Sequence, residues 1–517
     1  MSIHKGTGYR ATLGAAVLIG GSAVVGLFCG LIRGKVVAVW LGPVGMGLLG
    51  AYQSIVELFV MIFSIGIGTS GVRIIAEAAG RGGDVSVSQV AWVIRRLAWG
   101  LGMLGAICLI LLSKQIGLWT FGVAGDYHGL ALLGLAVLGG ALALGCTTII
   151  QATRHMAQLA SIGVWGSIFG VLIGVPVVIW GGMPGIVWLP IITALSGAVL
   201  ATVAFRRLHL PPVVRQEVAV MPILSPLMSI GLLFTINSIA SSLLGWIIRT
   251  YVIRSFGLDV GGYFQVALNL SNIYVGIVLQ AMSADYFPRI ASISTGARDV
   301  NESINEQLVT TVLLAAPGIV ATLVMAPLVI ELFYAHSFMP AVGVLRWYLL
   351  GALVRVMAWP FSMALYARGA MRMIFLADGA FYLVNLLLLV PASMKFGLNG
   401  VGMAFFVASC INCVVAFCVS QRIFSFQFMG IAKRYVITVI SLVGASLSCM
   451  VLLPPGYKTV LGVLIAMVAA LHSLYAFAEL IPAGRLESVA CKVGFNMYRQ
   501  WKSKIRKDGK PRGGSHA

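Results

Sequence analysis

Acidic residues are scarce in this chain. Fifteen Asp and Glu stand against thirty-five Lys and Arg, and only 10% of the 517 residues are charged. A soluble globular chain carries roughly 25% charged residues, so a soluble domain of useful size is excluded. Metal-ligand patterns are missing as well. Cys410-x-x-Cys413 lies in an apolar run without a nearby His and reads as small apolar filler. There is no P-loop, no metal-binding His pair and no nucleophile elbow. An ATP-driven pump is therefore disfavoured unless a partner supplies the ATPase. Residues 11–40 hold no acid, which argues against a cation-coupled exporter of cationic drugs. The lack of a large outer loop argues against a glycan polymerase or ligase. No cleavable signal peptide is predicted: the first apolar run continues to Trp40, well past a signal core of about 7–15 residues.

What the chain does have is hydrophobic length. It is 60% hydrophobic, with a mean hydropathy of +1.00. Apolar runs of about 20 residues can each cross a hydrocarbon core of roughly 30 Å. The expected fold is an all-α polytopic membrane protein of about fourteen spans. They lie near 11–40, 46–70, 91–112, 129–151, 159–180, 185–205, 227–256, 261–284, 308–333, 343–366, 374–394, 398–421, 435–453 and 458–481.

Lys and Arg set the orientation, since they concentrate on the cytoplasmic side. Counting alternately from inside, the inner connections hold residues such as Arg73, Arg95, Arg96, Arg154, Arg206, Arg207, Arg289, Arg368, Arg372 and Arg422, while the outer ones hold only Lys114, Lys395 and Lys458. Both termini are expected in the cytoplasm. The formal charge of +20 is this topological bias, and nucleic acid is not expected as a partner. Six basic residues escape the rule: Arg33, Lys35, Arg249, Arg254, Arg346 and Arg355.

An offset of 215 or 216 residues recurs along the chain. It relates Arg33 to Arg249, Gly42 to Gly257, Arg73 to Arg289, Gly182 to Gly397 and Arg207 to Arg422. Six spans per repeat make two parallel repeats, with a site expected near their interface. The expected divisions are a first lobe over 1–210, a second over 211–425, two additional helices over 426–484 and a basic tail over 485–517. That tail reads either as an amphipathic helix on the anionic inner leaflet or as a disordered anchor.

Charge inside a membrane span is a functional-site signal by default. Arg33 and Arg249 lie in the outer halves of two long spans. Two readings stand for them: snorkelling to headgroups, or a cationic cavity shared with Lys35 and with Arg355 near the midplane. Glu57 reads as the one clear mid-membrane acid, with Gln53 one turn away on the same face. Gln265, Asn269 and Asn272 form a matching polar stripe that can line a wet path or join helices by hydrogen bonds. Asp285, beside Pro288-Arg289, reads as an interfacial gate or cap. Glu57 and Asp285 are the candidates for coupling to H+ or Na+, and no other cofactor is expected. The ladders Gly26, Gly30, Gly34 and Gly166, Gly170, Gly174 read as close helix packing.

Residues 33–79, from Arg-Gly-Lys-Val-Val-Ala-Val-Trp-Leu-Gly-Pro to Val-Arg-Ile-Ile-Ala-Glu, together with Ala284-Asp-Tyr-Phe-Pro-Arg-Ile290 and the stretch from Arg355 to Asp378, resemble Wzx-type O-antigen and polysaccharide flippases. The resemblance covers roughly 1–425. It implies membership of the superfamily that also holds MATE exporters and lipid II flippases, and two six-helix lobes in a V-shaped, MATE-like arrangement. It implies a substrate, undecaprenyl-diphosphate-linked oligosaccharide, crossing the bacterial cytoplasmic membrane among membrane lipids, with a polysaccharide polymerase and chain-length machinery as partners. It also implies cavity cations at Arg33, Arg249 and Arg355. The two additional helices resemble the fourteen-span arrangement of lipid II flippases.

Overall fold

The computed structural model describes residues 5–80, 84–122, 127–208, 210–211, 220–292, 297–452 and 454–480. The tail 485–517 lies outside the described residues. Sixteen α-helices follow one another, with no strand among the described residues. The first half holds α1 (Lys5–Ile62), α2 (Thr69–Gly80), α3 (Asp84–Phe121), α4 (Tyr127–Leu132), α5 (Gly134–Ala152), α6 (Met156–Leu172), α7 (Gly174–Gly185) and α8 (Trp188–Arg206). The second holds α9 (Val220–Phe256), α10 (Leu258–Ser292), α11 (Ala297–Phe333), α12 (Ala341–Ala367), α13 (Met371–Phe396) and α14 (Leu398–Phe424), and then come α15 (Gly430–Leu452) and α16 (Pro455–Leu480).

Among the described residues, eleven helices are long and apolar enough to cross a membrane, or up to twelve with α6 and α7 as one span bent by 48°. The difference from fourteen has two sources. α1 runs for 58 residues but breaks at Gly42, whose φ of 63° is closed to most side chains. Unbroken it would measure about 87 Å, nearly three times the hydrocarbon core, so it counts as two passes. α10 spans 35 residues and is long enough for another pass, but it is not among the eleven because part of it lies outside the residues whose side chains are described.

Connections rich in Lys and Arg gather at one end of the bundle, called here the basic end. The glycine turns at Gly42, Gly182, Gly257 and Gly397 lie at the far end.

The 215-residue offset is written into the backbone. Gly182 (φ 58°, ψ −141°) and Gly397 (φ 59°, ψ −140°) adopt nearly the same conformation. α5 ends at Ala152 and α12 at Ala367, and α6 starts at Met156 and α13 at Met371. A Cβ at Gly185 would strike the Val177 carbonyl, and one at Gly400 the Ala392 carbonyl, again 215 residues apart.

The halves meet through a reciprocal crossing of α1 and α10 at the far end. A Cβ at Gly47 would overlap the carbonyl oxygen of Leu258, and one at Gly262 would overlap that of Pro43. Residues 43 and 258, like 47 and 262, are 215 apart. Equivalent residues therefore exchange contacts, as an isologous interface requires. Such glycines let backbones touch and permit Cα–H···O contacts of about 0.5–1 kcal/mol each. α1 packs on α6 with Gly26 facing Ser167 and Gly163 facing Ser22, but the expected ladders do not face each other: Gly30 meets nothing within 4 Å, Gly34 meets Tyr334, and Gly166 and Gly174 meet Leu200 and Leu189 of α8.

Overpacking such a contact costs about 1–3 kcal/mol. Gly262→Leu should therefore part the crossing. A cysteine introduced as Ala51→Cys, buried in the parent, should then react with a far-side thiol reagent about tenfold faster. Unchanged labelling would mean that the crossing absorbs the side chain.

Candidate functional site

Below the crossing, polar side chains converge from five helices. α9 contributes Asn237, α12 Arg355, α13 Asp378 and Tyr382, α14 Asn412 and α1 Glu57, around a cavity of about 340 Å³. Asp378 is held on both oxygens. Asn237 donates to one at 2.9 Å, and Asn412 reaches the other at 3.5 Å while donating to the Ala377 carbonyl at 2.9 Å. The Tyr382 hydroxyl donates to the Asn237 amide oxygen at 3.2 Å. The Arg355 guanidinium stacks 5.3 Å from the centre of the Phe381 ring and interacts electrostatically with Asp378 and Tyr348. Each buried charge thus has an opposite charge or a ring to stand against, as a low-dielectric setting demands.

Arg249 lies nearer the far end. Its Nε donates to Gln265 Oε1 at 3.0 Å, and Nη1 donates to the Gly245 carbonyl at 3.3 Å. Gln265 Nε2 donates to Asn269 Oδ1 at 3.0 Å, and Asn269 in turn bonds the Tyr334 hydroxyl. Gln265 fits because Gly50 leaves it room: a Cβ there would sit 2.5 Å from Oε1. Arg249 feels the charge of Glu57, and Tyr348 feels both Arg249 and Arg355. Counted along the helices, Arg249 stands about 10 Å from the far end, Glu57 and Arg355 about 21 Å, and Asp378 about 27 Å. Charges of both signs therefore lie at successive depths along the bundle.

The structure separates the other two expected cations from this column. Arg33 Nη1 donates to Thr193 Oγ1 at 2.9 Å, within the first half. Lys35 is exposed and donates to the Leu332 carbonyl at 2.5 Å, capping the C-terminal end of α11, where a cation is favourable. Register explains why Arg33 and Arg249 part. Arg33 stands nine residues before Gly42, and Arg249 eight before Gly257. One residue turns a helix by about 100°, so the two arginines face different ways. The in-register counterpart of Arg249 is Gly34, which packs against the Tyr334 ring.

Of the remaining expected residues, Gln53 is half-buried one turn from Glu57, and Asn272 is exposed. Asp285 lies on α10, but its side chain is outside the described residues. Glu57 is not the only acid within a span among the described residues: Asp378 lies inside the span Met371–Phe396, nearer its basic end. Asn237, Tyr382 and Asn412 were equally hidden. The one sequence signal for them was Asp378 itself, an acid within the apolar run 374–394.

Chemically, the arrangement offers a guanidinium to an anion and a carboxylate with two amides to a small cation or a proton. Asp378→Ala should leave Arg355 uncompensated and lower thermal stability in detergent. Adding Arg355→Met should restore part of the loss, with a coupling of about 1 kcal/mol or more. A double variant no more stable than Asp378→Ala would remove the proposed pairing.

Known proteins resemble this chain over most of its length. It is 22% identical over 413 residues to the lipid III flippase of Escherichia coli (strain K12), covering 79% of this chain and 98% of that one. The counterpart from Shigella flexneri matches equally. Among solved structures, the lipid II flippase MurJ in an inward closed conformation superposes with a TM-score of 0.69 at 15% identity, covering 90% of this chain and 99% of that one. A MATE transporter from Vibrio cholerae gives a TM-score of 0.60 at 16% identity, covering 80% and 98%. At such identities the superpositions show a shared fold. A family model for polysaccharide biosynthesis proteins matches residues 16–294, more than half of the chain. The chain belongs to that polysaccharide biosynthesis protein family.

Proposed function

We propose that this protein is a flippase for a lipid-linked sugar precursor, and specifically that it moves an undecaprenyl-diphosphate-linked oligosaccharide, an O-antigen or exopolysaccharide repeat unit, across the bacterial inner membrane. The observation that carries the reading is the column Arg249, Glu57, Arg355, Asp378, of which Glu57, Arg355 and Asp378 line a membrane-embedded cavity while Arg249 is packed nearer the far end. A diphosphate is a bidentate anion that a guanidinium recognises, and the amide groups beside it give a glycan a wet path. The family match and the lipid III flippase resemblance support the same substrate class.

In this reading, residues 1–210 and 211–425 are two lobes that rock about the α1–α10 crossing, and the basic end faces the cytoplasm. With the far end closed and the polar cavity on the basic side, the conformation accepts substrate from the inner leaflet. Polymerase and chain-length machinery take the product on the outer face. No residue is asked to perform covalent chemistry. Lipid II transport and multidrug export, performed by proteins of the same fold, are the alternatives.

In a strain lacking the gene, complementation with Arg355→Ala or Arg249→Ala should lower surface polysaccharide by about tenfold or more at matched protein level, since each loses a charge-assisted contact. Arg33→Ala should reduce it less, because that arginine is spent on Thr193. Full export from both column variants would overturn the substrate site. Cell lysis without polysaccharide loss would favour lipid II, and altered drug resistance alone would favour multidrug export.

Coupling to H+ or Na+ is assigned to Asp378 and Glu57. Transport in proteoliposomes by Asp378→Asn or Glu57→Gln should lose its dependence on the ion gradient. A gradient dependence kept by both variants would retire that role.

A further inference from the structure

Arg346 belongs to no part of the column, yet it is a cation in a membrane helix. It sits five residues into α12, about 8 Å from the far end. Its Nε donates to the Leu323 carbonyl at 3.2 Å. That carbonyl needs a donor because Pro327, four residues on, has no N–H to offer it, and α11 departs from helical angles at Met325. This contact uses one of the five N–H donors of a guanidinium. Among the described residues, no carboxylate lies against Arg346 and its terminal nitrogens have no acceptor.

Those nitrogens border a groove of about 700 Å³ between α12, α14 and α15. Arg346 aside, the groove is apolar, with walls such as Leu350, Met357, Phe406, Val443 and Leu447. Gly444 widens it, for a Cβ there meets nothing within 4 Å. From Arg346 to Met357 the groove descends about 16 Å, close to the roughly 15 Å of one leaflet's hydrocarbon. A single unneutralised cation at headgroup depth above one leaflet of apolar wall has the shape and charge of a lipid.

We propose that this groove is a binding site for one phosphate-headed bilayer lipid of the far-end leaflet, with the phosphate on Arg346 and an acyl chain between α12 and α15. α15 lies outside the internal repeat, so the site is a feature that the additional helices create. It is separate from the cavity between the halves and independent of what that cavity transports.

The test is lipid retention by the full-length protein. Wild type, Arg346→Gln, Arg346→Lys and Gly444→Leu are purified in mild detergent, and bound lipid is identified and counted by native mass spectrometry. Wild type should keep a phospholipid through delipidation. Arg346→Gln should retain about tenfold less, the loss of a charge-assisted pair, while Arg346→Lys keeps an intermediate amount. Gly444→Leu fills the groove and should expel the lipid with Arg346 intact, so the site remains testable even if Arg346→Gln folds poorly. Equal retention by wild type and Gly444→Leu would overturn the proposal. So would a polyprenyl phosphate or diphosphate in place of the phospholipid.

Discussion

The contact on which the architecture turns is the backbone approach of α1 to α10. Two glycines, Gly47 and Gly262, each lie against the carbonyl that corresponds to the other's own neighbour, Leu258 and Pro43. No side chain can enter that space. In a membrane there is little hydrophobic force between helices, so such close packing is what holds them together. Because the contact is reciprocal, it aligns the two halves about an axis and closes the far end of the polar cavity.

The second half departs from the first where charge is needed. At an offset of 215 residues, Arg249 corresponds to Gly34, Arg355 to Gly140 and Asp378 to Gly163. Gly50 corresponds to Gln265 and supplies the space that Gln265 fills. Three charges of the second half thus fall where the first half has glycine, and the first half adds Glu57. A symmetric pair of arginines facing each other would repel strongly at low dielectric. A column of both signs, Arg249, Glu57, Arg355 and Asp378, keeps each charge beside one of opposite sign.

The basic residues that the positive-inside rule leaves over have separate tasks. Lys35 neutralises the end of α11, Arg33 bonds Thr193, and Arg346 satisfies the carbonyl left free by Pro327. Each meets a polar group that the membrane cannot solvate. Arg249 and Arg355 differ in also lying in the field of a carboxylate, Glu57 and Asp378 respectively. Intramembrane cations are thus sorted by what they face.

Much of this was legible in the chain. Hydropathy and the scarcity of acids determine an all-helical membrane protein, and the glycine offset determines where equivalent turns fall, because a positive φ nearly requires glycine. Arg249, Arg355, Gln265 and Glu57 stood out because polar groups in apolar spans are costly. What the sequence could not decide was direction. Arg33 and Arg249 look paired at 216 residues, but the helices are in register at 215, and one residue of slip turns a side chain by about 100°. Tyr382 lies one turn from Asp378 on α13, but Asn237 and Asn412 are ordinary residues on two other helices, α9 and α14. Only tertiary packing brings them around Asp378, since a site of this kind is defined by distances between helices that the order of residues does not contain.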